Sequence, residues 1–290
     1  MNSAELKKQR LQLVHEAVRM KTRPARTPHM SNAFTWMQQF SGKPLSVTLR
    51  DYGLLEKTLR DFQETYRFDL LCGTGLRNPF TVTDPMGFSD HVVDDENAGI
   101  VVQDHELMLD DEYDLFIENM DKFLWEKVMP RKYKILGEEN GLKALSKSAF
   151  EFKKYLYYRS KAENFLADEY GVPAPLFNGA IPLAFPGLEF FFNYFRGIVG
   201  TSLDLRKHPD KLERACQVAE KRLMQPALDS VHDSPNGSNQ ALCFDLYGFC
   251  LAHTILNGKQ FDRFFWPYLK QIIETVVAKD KTVLHWCPAK

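Results

Sequence analysis

Short apolar runs that alternate with amphipathic helical patterns are the feature that most constrains the fold of this chain. The strand-like runs lie near His29 and in the segments "RFDLLCGTG", "APLFNGAIPLAFPG", "ALCFDLYGF" and "TVLHWC". Helical patterns lie between these runs, which is typical of βαβ units and a mostly parallel sheet. The sequence therefore predicts an α/β fold with about five strands. No linker-like stretch divides it, so residues 1–290 are predicted to form a single domain.

The remaining patterns predict helices and one hairpin. Apolar residues at helical spacing favour helices over residues 4–20, 46–66, 110–127, 142–170, 188–231 and 257–280. Residues 78–104 have an extended pattern with the turn cluster Asp-Asp-Glu-Asn-Ala-Gly, which favours a hairpin. His91 and His105 lie there among carboxylates, and we interpret them as part of a solvated acidic loop rather than a metal cluster. The hairpin and the acidic helices after it would form an insertion.

The charge balance excludes two classes of partner. Lysine and arginine total 37 against 38 aspartate and glutamate residues, for a net charge of -1. A nucleic-acid-binding surface needs a basic excess, and a membrane-binding patch needs clustered lysine and arginine. The most apolar stretch, "IPLAFPGLEFFF", is too short to span a bilayer, and the N-terminus does not resemble a signal peptide. The five cysteines form no CxxC motif, so we expect free thiols and a cytoplasmic location.

Three segments carry a resemblance to a known family: "RTPHMSN", "NGAIPLAFPGLEFFFNYFRGIVGTSLDLRKHPDKL" and "FDLYGFCLAHTILNGKQFDRFFWPYLKQIIETV". Their order and spacing resemble the uroporphyrinogen decarboxylase superfamily, which also contains cobalamin-dependent methyltransferases. The resemblance implies a TIM (β/α)8-type barrel with its chemistry at the C-terminal ends of the strands. Since a full barrel has eight strands, we expect an incomplete barrel and a chain truncated at its C-terminus.

The resemblance favours the methyltransferase branch over the decarboxylases. The decarboxylases place arginines after the first strand to hold tetrapyrrole carboxylates, whereas "MSNAFTWMQQFSG" contains no arginine. They also place a serine where this chain has Leu246. If the chain were a decarboxylase instead, its arginine candidates would be Arg23, Arg26, Arg77 and Arg196.

His285 and Cys287 resemble the His-x-Cys strand that provides zinc ligands in the methyltransferase branch. Residues i and i+2 of a strand point to the same side, so both side chains can face one site. Imidazole and thiolate are ligands that zinc accepts. The resemblance implies a third, more distant cysteine, for which neither Cys243 nor Cys250 is an obvious candidate. It also implies a corrinoid carried on a partner protein and a small-molecule methyl donor or acceptor.

Six further residues are candidates for catalysis or binding. The acidic Asp245, at the predicted end of a strand, and Tyr194, which follows the family's tyrosine, are the catalytic candidates. The other four would line a substrate or cofactor pocket: His29, Asn32, Trp36 and Asn178. For each residue, capping or core packing is the alternative. Arg77 and Asn78 follow a two-glycine turn that is not a dinucleotide fingerprint.

A function outside enzymology also remains open. An incomplete barrel would leave an open sheet edge, and such an edge invites pairing with another chain. The third prediction is therefore a catalytically inactive partial barrel that acts through association, including association into a homo-oligomer.

Overall fold

A computed structural model describes residues 2–74, 79–104, 106–175 and 181–287. The helices, in chain order, are α1 (Ser3–Arg19), α2 (Leu45–Thr48), α3 (Leu55–Tyr66), α4 (Phe80–Thr83), α5 (Tyr113–Glu118), α6 (Met120–Phe123), α7 (Met129–Lys132), α8 (Gly141–Tyr170), α9 (Leu188–Phe190), α10 (Gly197–Lys207), α11 (Pro209–Ala219), α12 (Gln225–Asp233), α13 (Gly258–Phe264) and α14 (Trp266–Val277). The strands are β1 (Met30–Ser31), β2 (Leu70–Leu71), β3 (His91–Asp94), β4 (Gly99–Val102), β5 (Leu246–Phe249) and β6 (Val283–Trp286). Shorter 3-10 segments cover Phe34–Ser41, Tyr52–Leu54, Asp84–Met86, Lys134–Gly137 and Ala252–Ile255, and π-helical segments cover Leu124–Val128, Phe191–Phe195 and Glu220–Met224.

The prediction of a TIM barrel is wrong. The structure is 62% helical, and its six short strands form sheets of two strands each with no closed barrel among the described residues. The pairs are β1 with β2, β3 with β4, and β5 with β6. Two of them are parallel, as expected, but strands of two to four residues contribute too few ladder hydrogen bonds to dominate the fold. The expectation of an incomplete barrel is therefore wrong as well.

Most of the individual elements agree with the sequence prediction. Helices α1 and α8 begin and end within one residue of the predicted bounds, and β3 and β4 form the predicted antiparallel hairpin. The predicted helix over 46–66 is instead α2, a 3-10 turn and α3. No helix in the described part of the chain combines the length and apolar character needed to cross a membrane.

The chain forms two compact units. The first comprises Met1–Gln103, Tyr133–Ala180 and Gln240–Cys243, and the second comprises Asp104–Lys132, Ile181–Asn239 and Phe244–Lys290. Each unit therefore draws on separate parts of the chain.

Unit 1 is built around a core that α3 and α8 share. Helix α3 turns an apolar face inward through Leu55, Leu59 and Phe62, all of which are buried. Tyr155 and Phe165 of α8 belong to the same cluster. Asn2 is the N-cap of helix α1, and its side chain accepts a hydrogen bond from the Glu5 amide.

Unit 2 has an aromatic core and a buried ion network. The ring of Phe191 stacks on that of Tyr113 and meets that of Phe116 edge to face. The ion network joins this core through Tyr113. The Asp204 carboxylate accepts from the Arg196 guanidinium at 2.6 Å and from the Tyr113 hydroxyl at 2.6 Å. Because all of these polar groups are paired, the charges can remain in the interior.

Candidate thiol and histidine site

The parallel pair β5 and β6 places the predicted ligands at one end of unit 2. The register pairs Gly248 with His285 and Phe249 with Trp286. The amide of Cys250 then donates to the Trp286 carbonyl at 2.9 Å, so the pairing continues one step beyond the strands. This register makes Cys250 the lateral neighbour of Cys287.

The two thiols are neighbours. Cys287 lies close enough to Cys250 to raise the pKa of the Cys250 thiol. Cys250 is buried whereas Cys287 is exposed. Burial is the main reason why the pKa of Cys250 lies far above its usual value, and the neighbouring Cys287 and Glu189 raise it further. The pair therefore combines one thiol that solvent reaches with one that burial shields from it.

The imidazole of His285 lies on the same face of the strand pair. Its Nε2 is 3.3 Å from the carbonyl oxygen of Ala184. A carbonyl can only accept, so this ring nitrogen is the donor. Burial lowers the pKa of His285, although the Ala184 contact opposes that shift. The ring is consequently neutral at physiological pH, and its Nδ1 is unprotonated.

A buried carboxylate fixes the backbone that follows Cys250. Glu189 Oε1 accepts hydrogen bonds from the amides of Leu251 at 2.8 Å and Ala252 at 2.9 Å. Asn193 donates its side-chain amide to Oε2 at 2.9 Å. Burial raises the pKa of Glu189 to about 7, against the opposing effect of these donors. Glu189 therefore holds the turn after β5.

The arrangement does not form a complete metal cage. In the part of the chain that the structure describes, no group of three or more histidine, cysteine, aspartate or glutamate side chains is placed to hold a metal ion. Two thiols are together, but the His285 Nε2 faces Ala184. Binding a metal here requires the imidazole to shift or to use its Nδ1.

Asp245 lies at the beginning of β5, whereas the sequence interpretation placed it at the end of a strand. Its carboxylate accepts from the Thr282 amide at 2.7 Å, the Thr282 hydroxyl at 2.9 Å and the Asn239 amide at 2.8 Å. Desolvation opposes these hydrogen bonds, yet the pKa of Asp245 is still lowered. The carboxylate thus ties the loop before β5 to the residue that precedes β6.

The other candidates do not gather around one site. Tyr194 is 41% exposed in the π-helical segment and lies against the ring of Phe190. His29, Asn32 and Trp36 belong to unit 1, where Trp36 packs on neighbouring aromatic rings. The His29 amide donates to Asp69 at 2.8 Å. Asn178 lies outside the described residues, as do Arg77, Asn78 and His105.

Sequence reasoning missed Glu189 and Gly248. The signal for Glu189 was available, since it is a single carboxylate in the apolar run "IPLAFPGLEFFF". Such a residue is buried with partners or marks a functional site. Gly248 has no comparable signal, because its role depends on the ring of His285 across the strand pair.

Comparison with known proteins does not assign the chain to a family. No family model matches it, and no curated protein or solved structure shows a significant match. The resemblance to the uroporphyrinogen decarboxylase superfamily, with its corrinoid partner, stays a prediction.

Proposed function

We propose that unit 2 binds zinc through Cys250, Cys287 and His285, and that the metal activates a thiol substrate for methyl transfer to or from a corrinoid. The observation that carries the proposal is the strand register, which brings Cys250 beside Cys287, two residues after His285. A thiolate pair with one imidazole is a ligand set that zinc favours, and a catalytic zinc keeps a fourth position for substrate.

The hydrogen bond of His285 supports this role. Histidines that bind metals usually donate their other ring nitrogen to a carboxylate or to a backbone carbonyl. Donation from Nε2 to Ala184 leaves Nδ1 as the free ligand atom. Completing the set would require the ring and the exposed Cys287 side chain to move, because the described residues form no ready-made metal cage.

Zinc held by these residues would lower the pKa of a substrate thiol and hold it as a thiolate. Methyl transfer would join the substrate sulfur to the methyl carbon and release the thiol proton, and the corrinoid would keep the electron pair of the carbon–cobalt bond that breaks.

The arginines disfavour the alternative of tetrapyrrole decarboxylation. Arg26 is paired with Asp69 at 2.5 Å, and Arg196 is paired with Asp204. Guanidinium groups that already neutralise protein carboxylates are poorly placed to bind the carboxylates of a substrate. Arg23 is exposed, and Arg77 lies outside the described residues.

Metal analysis tests the binding site. The full chain, reduced and loaded with zinc, is expected to retain one zinc per chain after gel filtration. Cys250→Ser, Cys287→Ser and His285→Gln should each weaken the binding by ten-fold or more, at about 1.4 kcal/mol per ten-fold. Cys243→Ala is the matched control, because Cys243 lies in the same stretch of sequence but belongs to unit 1. Equal zinc content in all four variants would refute the assignment.

A methyl-transfer assay tests the reaction. Zinc-loaded protein is mixed with methylcobalamin and a small alkyl thiol, and the cobalamin absorbance reports loss of the methyl group. We expect turnover that depends on both the metal and Cys287. A rate equal to that of free zinc with the same thiol would contradict the proposed reaction even if zinc binds.

A further inference from the structure

The proximity of Cys250 and Cys287 also allows the two sulfurs to bond to each other. The residues are lateral neighbours on two parallel chains, because the Cys250 amide donates to the carbonyl of Trp286. Lateral neighbours project from the same face of a sheet. The register therefore brings the two cysteines side by side on one face of the strand pair.

The backbone spacing of the pair suits a disulfide. Neighbouring strands lie about 4.7–4.9 Å apart. Disulfides join Cα atoms that are usually about 4.4–6.8 Å apart. The bond therefore forms without separating β5 from β6. The other three cysteines, Cys72, Cys216 and Cys243, are all buried, so none of them offers an exposed thiol to a dissolved oxidant.

The unequal exposure of the pair fixes the order of reaction. Cys287 is exposed and can meet a dissolved oxidant, whereas Cys250 is buried and can meet only its neighbour. We propose that Cys250 and Cys287 form a reversible disulfide, with a low-molecular-weight disulfide such as oxidised glutathione as the oxidant. This makes the end of unit 2 a site of redox modification.

The exchange proceeds in two balanced steps. The Cys287 thiolate attacks one sulfur of oxidised glutathione, forms a mixed disulfide and releases one glutathione thiolate. The Cys250 sulfur then attacks the Cys287 sulfur and displaces the second glutathione. Together the two protein thiols lose two electrons and two protons, and oxidised glutathione takes up these electrons and protons as it becomes two molecules of reduced glutathione.

The proposal of a disulfide depends only on the geometry of the two cysteines, but its effect on metal binding rests on the proposed function. The sulfurs that join are the sulfurs proposed to bind zinc. Oxidation would therefore expel the metal, and a dithiol reductant would restore its binding.

Peptide mapping tests the bond on the unmodified full chain. The reduced protein is incubated with oxidised and reduced glutathione at several ratios, quenched with an alkylating agent and digested. We expect a single cross-linked peptide pair that contains Cys250 and Cys287, with Cys72, Cys216 and Cys243 alkylated. Cys287→Ser should abolish the cross-link and Cys243→Ala should keep it. Stable glutathionylation of Cys287 without the cross-link, or a cross-link to another cysteine, would overturn the proposal.

Zinc content measured on the same samples separates the two proposals. Zinc on the reduced chain without any cross-link refutes the disulfide and supports the proposed function. A cross-link in a chain that never binds zinc supports the disulfide and refutes the proposed function. If the chain both binds zinc when reduced and forms the cross-link when oxidised, oxidation should remove the zinc and reduction should restore it.

Discussion

The imidazole of His285 lies against the backbone of Gly248 on the neighbouring strand. A Cβ atom built at Gly248 would come within 2.2 Å of His285 Cδ2, 2.3 Å of Nε2 and 2.4 Å of the Ala184 carbonyl oxygen. Contacts this short do not occur, so the ring can occupy its position only because residue 248 has no side chain.

Gly248→Ala is therefore expected to displace the ring of His285 and to destabilise unit 2. Overpacking of this kind costs about 1–3 kcal/mol in the free energy of unfolding. Urea denaturation measures the loss, and a zinc titration should show weaker binding as well. Gly258→Ala is the control, because a Cβ there meets nothing within 4 Å and alanine favours the helix α13. Equal losses in the two variants would contradict this account of His285.

Glu189 should make stability fall as the pH rises. Burial raises the pKa of Glu189 to about 7 from the 4.5 of an ordinary glutamate, so protonation favours the folded state. The stabilisation is complete below about pH 4.5 and is lost as the pH rises through about 7. Glu220, where burial raises the pKa to about 8, acts in the same direction. Urea denaturation at several pH values should give a shallower decline for Glu189→Gln than for the unmodified chain.

The exposed Glu274 provides the control for this pH dependence. It lies on α14 in unit 2 and pairs with Lys270 on the surface. Glu274→Gln should leave the slope of stability against pH unchanged. A slope that Glu189→Gln fails to alter would show that Glu189 has no raised pKa.

The Arg196–Asp204 pair should be far more important for stability than the surface ion pairs of unit 2. Asp204→Ala leaves the Arg196 guanidinium buried without its main partner and removes the acceptor of the Tyr113 hydroxyl. Loss of one partner from a buried pair costs about 3–5 kcal/mol. Asp121→Ala removes the exposed partner of Arg222 and should cost at most about 1 kcal/mol. Comparable losses in chemical denaturation would contradict the buried role of Asp204.

Asp69 should have the opposite pH dependence, in unit 1. Desolvation acts to raise its pKa, but Arg26, the His29 amide and Arg10 together lower it below its usual value of 3.8. The resulting stability is present above about pH 4 and is lost as the pH falls through the lowered value. Asp69→Asn should therefore be less stable at neutral pH and should lose less stability on acidification. Fluorescence-detected unfolding across this range measures both effects, and identical acid transitions in the two proteins would refute the assignment.

The sequence predicted local elements well because their causes are local. The bounds of α1 follow from apolar spacing and from the capping residue Asn2, both of which lie within the helix or beside it. The hairpin of β3 and β4 likewise follows from its own turn residues. The barrel was predicted from the order of these elements and from a resemblance, and order alone does not determine how many strands pair.

The candidate site was predicted only in part, for the same reason. The spacing of His285 and Cys287 predicted that both lie on one face of a strand; in the structure His285 belongs to β6 and Cys287 directly follows it. Cys250 was set aside because it follows its strand, yet the register of β5 and β6 makes it the neighbour of Cys287. Register depends on how two segments that are distant in the sequence pair with each other, so it cannot be predicted from either segment alone.

Strand β6 pairs with β5 and with no other strand among the described residues. A strand bonded along one edge opens more readily than the helices around it, so its amides should exchange with deuterated solvent early. His285 and Cys287 are therefore carried by a segment of low local stability. A ligand that binds His285, Cys287 and Cys250 together would bind only the closed form of this segment. Its binding should therefore slow amide exchange along β6, and the tighter the ligand binds, the greater the slowing.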